Sequence, residues 1–407
     1  MKKVVLVAPY FGGNMIHCMR CFAALEGVQL GIISQEQQER LPPDLAGKIA
    51  GFYTVADVGD TQQLVQAGRA FQREWGGIDR LEGYLEQLQV PIGEARDALG
   101  VEGLDGESAK NFRDKNRMKR ILREAGLPVA RQALISGPED ARKFVKLVDY
   151  PIVLKPLAGL GARNTVRVSS EEELYVALNQ LMPTPTAPVQ AEEFIRGEEH
   201  TFETVCIEGK PVWSSSTFYL PGPLQVLENP WMQYCLLLPR EQQMPHVAAF
   251  KATNHAALAT LGLRTGISHM EWFLMGNGRH VISEVGARPP GANIMPLMNA
   301  AHDTDMWAHW ARLMVHKTWN PPARSYAAGC AFLRGMGRGN AVKSLSGIEE
   351  AQRQIGPLVV STQLPRVGQP RASGYEGEGW VIVRAPETRA VVDALRVLVT
   401  TIQVEMG

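Results

Sequence analysis

Two runs rich in β-branched and aromatic residues, 267–275 and 280–285, flank an Asn277-Gly278 pair. Asn-Gly between such runs predicts a β-hairpin, because a type I′ turn needs φ > 0 at both central residues. With Asn277 and Gly278 as the two loop residues, Gly276 faces Arg279, and counting outward sets Glu271 directly opposite Glu284. Residues so opposed have Cβ atoms about 5 Å apart, and like charges there repel. In so apolar a hairpin, two carboxylates call for a cation between them or for a raised pKa. Trp272, Phe273 and Ile282 imply burial on both faces, which disfavours a surface hairpin with its glutamates in water. Hard oxygen donors with few other ligands nearby suit Mg²⁺, usually held by one or two carboxylates plus substrate phosphates. Arg288 follows four residues after Glu284, where Pro289-Pro290-Gly291 ends the strand. A guanidinium there can grip a carboxylate or phosphate in a bidentate fork.

A chain of 407 residues has room for two to three domains. Its 42 basic residues balance 42 acidic ones, so no global field favours nucleic acid or an anionic membrane. The most basic stretch, 110–123, has its charges at helical spacing and reads for the most part as a solvated helix face. Cys18 and Cys21 form a C-x-x-C beside His17, but no second pair follows at metal-ligand spacing. They fall on an apolar helical stripe with Met15, Met19, Phe22 and Leu25, and so read as core thiols in a reducing, cytoplasmic compartment. The opening Met1-Lys2-Lys3-Val4 turns polar by Pro9, too soon for a signal peptide. The longest charge-free run, 211–227, holds three prolines and does not read as a membrane span.

In chain order, the apolar run 3–8, Gly12-Gly13, a helix from Asn14 and a second strand at 28–33 predict a doubly wound α/β unit. A third strand is placed at 53–58 and a helix at 61–75. No G-x-G-x-x-G is present, which argues against a dinucleotide there. Glu82 reads as a helix residue near a domain edge. A helix then starts at Asp114-Lys115 and stops at Gly126, with Pro128 beyond. Strands at 129–135 and 151–155 and a helix at 138–147 follow. The second strand ends in Lys155-Pro156 and opens onto a glycine loop, 157–164. Such a loop beside a lysine can lay backbone N–H groups and one cation on phosphates. Strands at 200–207, 211–219 and 233–238 and a helix at 242–261 lead into the hairpin. Apolar helices at 292–300 and 305–315 follow it. A last module has strands at 326–333 and 379–384, a helix at 388–399, and a Gly/Arg-rich turn, 335–339, placed near a substrate.

The order of these features resembles the ATP-grasp superfamily over residues 110–300: Asp-Lys opening a helix, Lys-Pro with a glycine loop, Glu192-Glu193-Phe194-Ile195-x-Gly-x-Glu199, then two glutamates across a hairpin and an arginine. Within it, S-H-M-E-W with E-V-G-A-R-P-P-G is most similar to carboxylate–amine ligases of the L-amino-acid ligase kind. The resemblance implies four parts. An N-terminal α/β domain (1–112) precedes small (113–190) and large (191–319) ATP-grasp subdomains, and a C-terminal α+β module (320–407) follows. It implies ATP and one or two Mg²⁺ ions, with Mn²⁺ able to substitute. Lys115 and Lys155 would contact the nucleotide phosphates, and the loop around Gly159, Gly161 and Ala162 would close over them. Glu192, Glu193 and Ile195 would form the adenine-binding segment, and Glu199 would bind the ribose hydroxyls. Glu271 and Glu284 would hold the metal, and Arg288 would steady an acyl phosphate.

Three departures from the family pattern matter. Gly286 stands where many members have an asparagine, which leaves the metal to the glutamates and Asn293. Ala162 replaces a common serine, so backbone groups and Arg163 would serve there. Pro289-Pro290-Gly291 departs from both the biotin carboxylase and the purine-pathway patterns. The implied activity is amide or peptide bond formation between small-molecule acid and amine substrates, in a homodimeric enzyme with no nucleic-acid or membrane partner. His269, on the same strand face as Glu271, would orient the amine or accept its proton. The competing readings are a carboxylase or purine-type ligase and a nucleotide-binding regulator without turnover.

Overall fold

The computed structural model describes residues 1–156, 165–229 and 231–407. The loop carrying Gly159, Gly161, Ala162 and Arg163 lies outside the described residues. Strands β1 (Lys2–Val7), β2 (Val28–Ser34), β3 (Ile49–Thr54) and β4 (Arg80–Glu82) form a parallel sheet ordered β3-β2-β1-β4. The doubly wound unit is thus present, but its third strand lies at 49–54. The polar stretch expected to extend it instead prepares a helix: Asp60 caps helix Thr61–Trp75 by accepting the Gln62 N–H. That helix seats Phe71 and Trp75 on a floor of two glycines, since a Cβ at Gly31 would lie 2.6 Å from both rings. Glu82 ends β4 rather than sitting in a helix. Its carboxylate is buried and accepts from Arg96 at 2.6 Å, and Arg96 also donates to the Leu81 and Leu104 carbonyls.

The basic stretch folds as two helices, Gly106–Arg113 and Lys115–Glu124. They break at Asp114, whose carboxylate caps the second by accepting from Asn116 and Arg117. A small antiparallel sheet follows, with β5 (Gln132–Ile135), β6 (Ile152–Pro156), β7 (Val166–Val168) and β8 (Val189–Glu193) in the order β5-β8-β6-β7. The expected strand start at 129 gives way because Val129 bridges Ile282 instead.

The largest sheet is antiparallel. It comprises β9 (Gly197–Ile207), β10 (Lys210–Leu220), β11 (Tyr234–Leu238), β12 (Gly266–Met275), β13 (His280–Gly286), β14 (Ala327–Leu333), β16 (Val359–Gln363) and β17 (Gly379–Ala385). Their order is β13-β12-β9-β10-β11-β14-β17-β16. Strands β15 (Val342–Ser346) and β18 (Gln403–Met406) pair separately. The break expected at 319/320 therefore falls inside one continuous sheet, because β11 pairs with β14. The break at 190/191 falls inside β8. The Gly/Arg-rich turn folds around Arg371, which donates to the carbonyls of Gly335, Gly337 and Gly339.

One apolar core runs from β1 and β2 through helices Gly13–Ala23 and Met306–His316 to β11 and β14. Among the described residues, no helix is long and apolar enough to cross a membrane. The buried Glu82–Arg96 pair carries the stability prediction. Glu82→Ala strands an unpaired guanidinium and should cost about 3–5 kcal/mol in urea unfolding, whereas a surface pair such as Lys2–Asp79 should cost under about 1 kcal/mol.

Candidate active site

Strands β9, β10, β12 and β13 divide their side chains by the two-residue period of a strand. Trp272, Met270 and Phe202 point to helix Pro245–Leu261, where Trp272 stacks on Phe250 at 4.1 Å. Glu199, Glu203, Tyr219, His269, Glu271 and Glu284 share the opposite face, which is the large-sheet wall of a cleft. Glu271 does pair with Glu284, but by a different route from the one expected. The loop has three residues, with Met275 N–H bonded to the Arg279 carbonyl, and only Gly278 has positive φ. A bulge at Ser283 then shifts the register by one, so the two departures offset each other. The Ile282 N–H beside that bulge donates to the Pro128 carbonyl, which ties the small-sheet region to the hairpin.

The Glu284 carboxylate is paired with a lysine. Lys115 Nζ lies 2.7 Å from Glu284 Oε2, and Glu284 and Glu271 raise its pKa against the effect of burial. Glu271 also accepts from the Tyr219 hydroxyl at 3.0 Å and lies 3.8 Å from His269 Nε2. Burial opposes its ionisation, but His269 and Lys115 hold it below the ordinary carboxylate range. Glu199 is driven the other way: burial and the nearby charge of Glu271 push it well up. His269 Nδ1 sits 2.9 Å from Glu203. Although burial works against it, Glu203 and Glu271 raise the imidazole to about 9. Glu271 and Glu284, paired across the hairpin, offer the hard oxygen donors that Mg²⁺ takes. The Asn293 amide nitrogen faces Cys330 Sγ at 3.7 Å.

Across the cleft, Glu192 is buried between Lys119 at 2.6 Å and Lys155 at 2.8 Å. Burial pulls its pKa up, yet the two lysines bring it to about 2, while burial lowers Lys119 to about 8. The Glu193 N–H donates to the Arg131 carbonyl at 3.0 Å, and Glu193 and Ile195 both line the cleft. Arg288 forks onto Glu86 through Nη2 at 2.7 Å and Nε at 3.1 Å, with Arg113 at 3.4 Å from the same carboxylate. The cleft opens to solvent and is lined from both sheets, by Lys155 and Glu192 on one side and Glu271 and Glu284 on the other.

Residues 114–201 match the family model described as the carbamoyl-phosphate synthase L chain, ATP binding domain. The chain is 24% identical over 291 residues to an L-arginine-specific L-amino acid ligase of Bacillus subtilis, covering 70% of this chain and 69% of that one. It is 25% identical over 271 residues to an alanine–anticapsin ligase of Bacillus subtilis strain 168, covering 60% of this chain and about half (54%) of that protein. The structure superposes on an L-amino acid ligase from Bacillus licheniformis with a TM-score of 0.75 at 18% identity, covering 100% of this chain and 99% of the other. The chain carries an ATP-grasp domain.

The matched span of this ATP-grasp domain includes Lys115, Lys119, Lys155, Glu192 and Glu199. Sequence reading missed Lys119, Glu86, Glu203, Tyr219 and Tyr375. A signal existed for two of them: Lys119 falls one helical turn after Lys115, and Glu203 alternates with Glu199 along β9. Glu86 and Tyr375 reach the cleft from distant segments and carry no local signal. Lys119→Met leaves Glu192 buried with only Lys155 and should cost about 3 kcal/mol in urea unfolding.

Proposed function

We propose that the protein is an ATP-dependent carboxylate–amine ligase that joins small acids and amines, amino acids foremost, with release of ADP and phosphate. The observation that carries this reading is the facing of Glu271 and Glu284 across one cleft wall, with Lys115 paired to Glu284 and Arg288 past the strand end. Names of the similar proteins support amino-acid substrates. In this reading Lys115 and Lys155 bind the nucleotide phosphates, the segment Glu192, Glu193 and Ile195 borders the adenine, and Glu199 binds the ribose. The loop with Gly159, Gly161 and Ala162 covers the phosphates. Glu271 and Glu284 hold one or two Mg²⁺ ions, and the metal supplies charge neutralisation at the phosphates. Cytoplasmic location and a homodimer belong to the same proposal.

The γ-phosphoryl group passes to an oxygen of the substrate carboxylate and ADP leaves, which requires positioning and charge balance more than covalent help. The amine lone pair then attacks the acyl carbon, the C–O bond to phosphate breaks with its electron pair, and the amine loses a proton. Arg288 is aimed at the phosphate side of that step. Its Glu86 partner fixes the guanidinium plane. Both ring nitrogens of His269 face carboxylates, so it positions Glu271 rather than taking the amine proton.

The test is a screen of amino acids in pairs for phosphate and ADP release. At least one pair should turn over; release that depends only on bicarbonate would overturn the reading. Glu284→Gln should abolish ADP formation with every substrate. Arg288→Met should lower kcat by about 10²–10³ with ATP affinity nearly unchanged, the loss typical of a group aimed at developing charge. Because that change strips Glu86 of its fork, Glu86→Gln/Arg288→Met serves as the charge-balanced control. Collapse of ATP binding in both variants would make Arg288 a nucleotide ligand or a brace.

A further inference from the structure

Away from the cleft, helix Gly13–Ala23 crosses helix Met306–His316, with Phe22 packed on Trp310 at 5.5 Å. At one edge of this contact three metal-ligating side chains meet: His17, Cys21 and Asp305. His17 and Cys21 are four residues apart and so share a helix face. The third member comes from 284 residues further along the chain. Cys21 Sγ lies 3.7 Å from His17 Nε2 and 3.5 Å from Asp305 Oδ2, and the latter two atoms are 2.8 Å apart.

Those separations can be compared with a tetrahedral zinc centre. Bond lengths of about 2.3 Å to sulfur and 2.0–2.2 Å to nitrogen and oxygen put ligand atoms about 3.4–3.6 Å apart. Both distances from the sulfur already agree. The nitrogen–oxygen pair, now hydrogen-bonded, must open by about half an ångström, and His17 is half exposed and free to turn. The carboxylate is already placed: Asp305 Oδ1 caps its helix by accepting the Trp307 N–H at 2.9 Å, which leaves Oδ2 for the cluster. Cys21 is buried and His17 opens to solvent, so the contact has an anchored side and an entry side.

We infer that His17, Cys21 and Asp305 form a site for Zn²⁺ or a similar borderline-soft divalent ion, which staples the N-terminal sheet unit to helix Met306–His316. The imidazole Nε2 lone pair, one carboxylate oxygen and the thiolate sulfur bond the metal, and the thiol proton leaves to solvent. One thiolate and one carboxylate neutralise the ion, a suitable balance for a half-buried contact, and water completes the tetrahedron. Mixed sulfur, nitrogen and oxygen donors separate this site from the hard all-oxygen set at Glu271 and Glu284. Cys18, fully buried nearby, is the control thiol.

The test uses the full, untagged chain with Zn²⁺ or Co²⁺ and no nucleotide. The wild type should retain one equivalent of zinc through desalting and melt at a higher temperature with it. His17→Gln, at a half-exposed position that should not disturb folding, should lose both effects. The cobalt form should show intense tetrahedral bands and a thiolate-to-cobalt charge-transfer band, which Cys21→Ser removes and Cys18→Ser keeps. Asp305→Asn retains the helix cap and should still weaken zinc retention, so it replaces Cys21→Ser should that variant not fold. The inference is overturned if no zinc is retained, if His17→Gln retains as much as the wild type, or if the charge-transfer band survives Cys21→Ser.

Discussion

Two carboxylates held across from each other on neighbouring strands repel, and much of the surrounding structure makes that repulsion tolerable. Glu271 and Glu284 face each other on β12 and β13. Lys115 reaches them from the first residue of a helix whose start is fixed by Asp114. Tyr219 and His269 hold Glu271 from the other side, and Glu203 in turn holds His269. The residual negative field appears at Glu199, where burial and Glu271 push the carboxyl toward its neutral form. A site so arranged has a standing demand for positive charge.

Charge is distributed differently on the small-sheet side. Glu192 has two lysines, so that wall carries a surplus of cation, while the large-sheet wall carries a surplus of anion. A triphosphate with its metal is complementary to such a pair of walls. Among the described residues the two sides are tied by the backbone bond from Ile282 to Pro128, the adjoining bridge to Val129, the Arg167–Glu228 ion pair at 3.1 Å and a shared apolar cluster that includes Met118 and Val285. The covered face of the large sheet, by contrast, is sealed by stacked aromatic rings such as Trp272 on Phe250.

Most regular elements were legible in the sequence because period and punctuation are local. The hairpin register was reached for an incomplete reason, since neither the third loop residue nor the Ser283 bulge has a strong sequence signature. Glu82 departs from its expected helix because its environment is made by Arg96, on another element. The burial of Lys119 is not legible because helical spacing alone does not say which face meets Glu192. Glu86 and Tyr375 were missed, as was the meeting of Cys21 with Asp305, because each depends on contacts between residues far apart in the chain. The last module read as separate because β11 and β14 are divided by nearly a hundred residues, although they are neighbours in one sheet.

The shared core has a consequence for the order in which the chain is made. Met15, Met19 and Phe22 of the first helix are covered in part by Trp307 and Trp310, and Arg80 Nε donates to the Met314 carbonyl. During synthesis at about 5–20 residues per second, that apolar face waits on the order of fifteen seconds to a minute for its cover to emerge. A nascent chain of this kind presents a sticky helix to ribosome-bound chaperones for most of its translation. Translation speed through the intervening region then bears on yield without altering the finished enzyme.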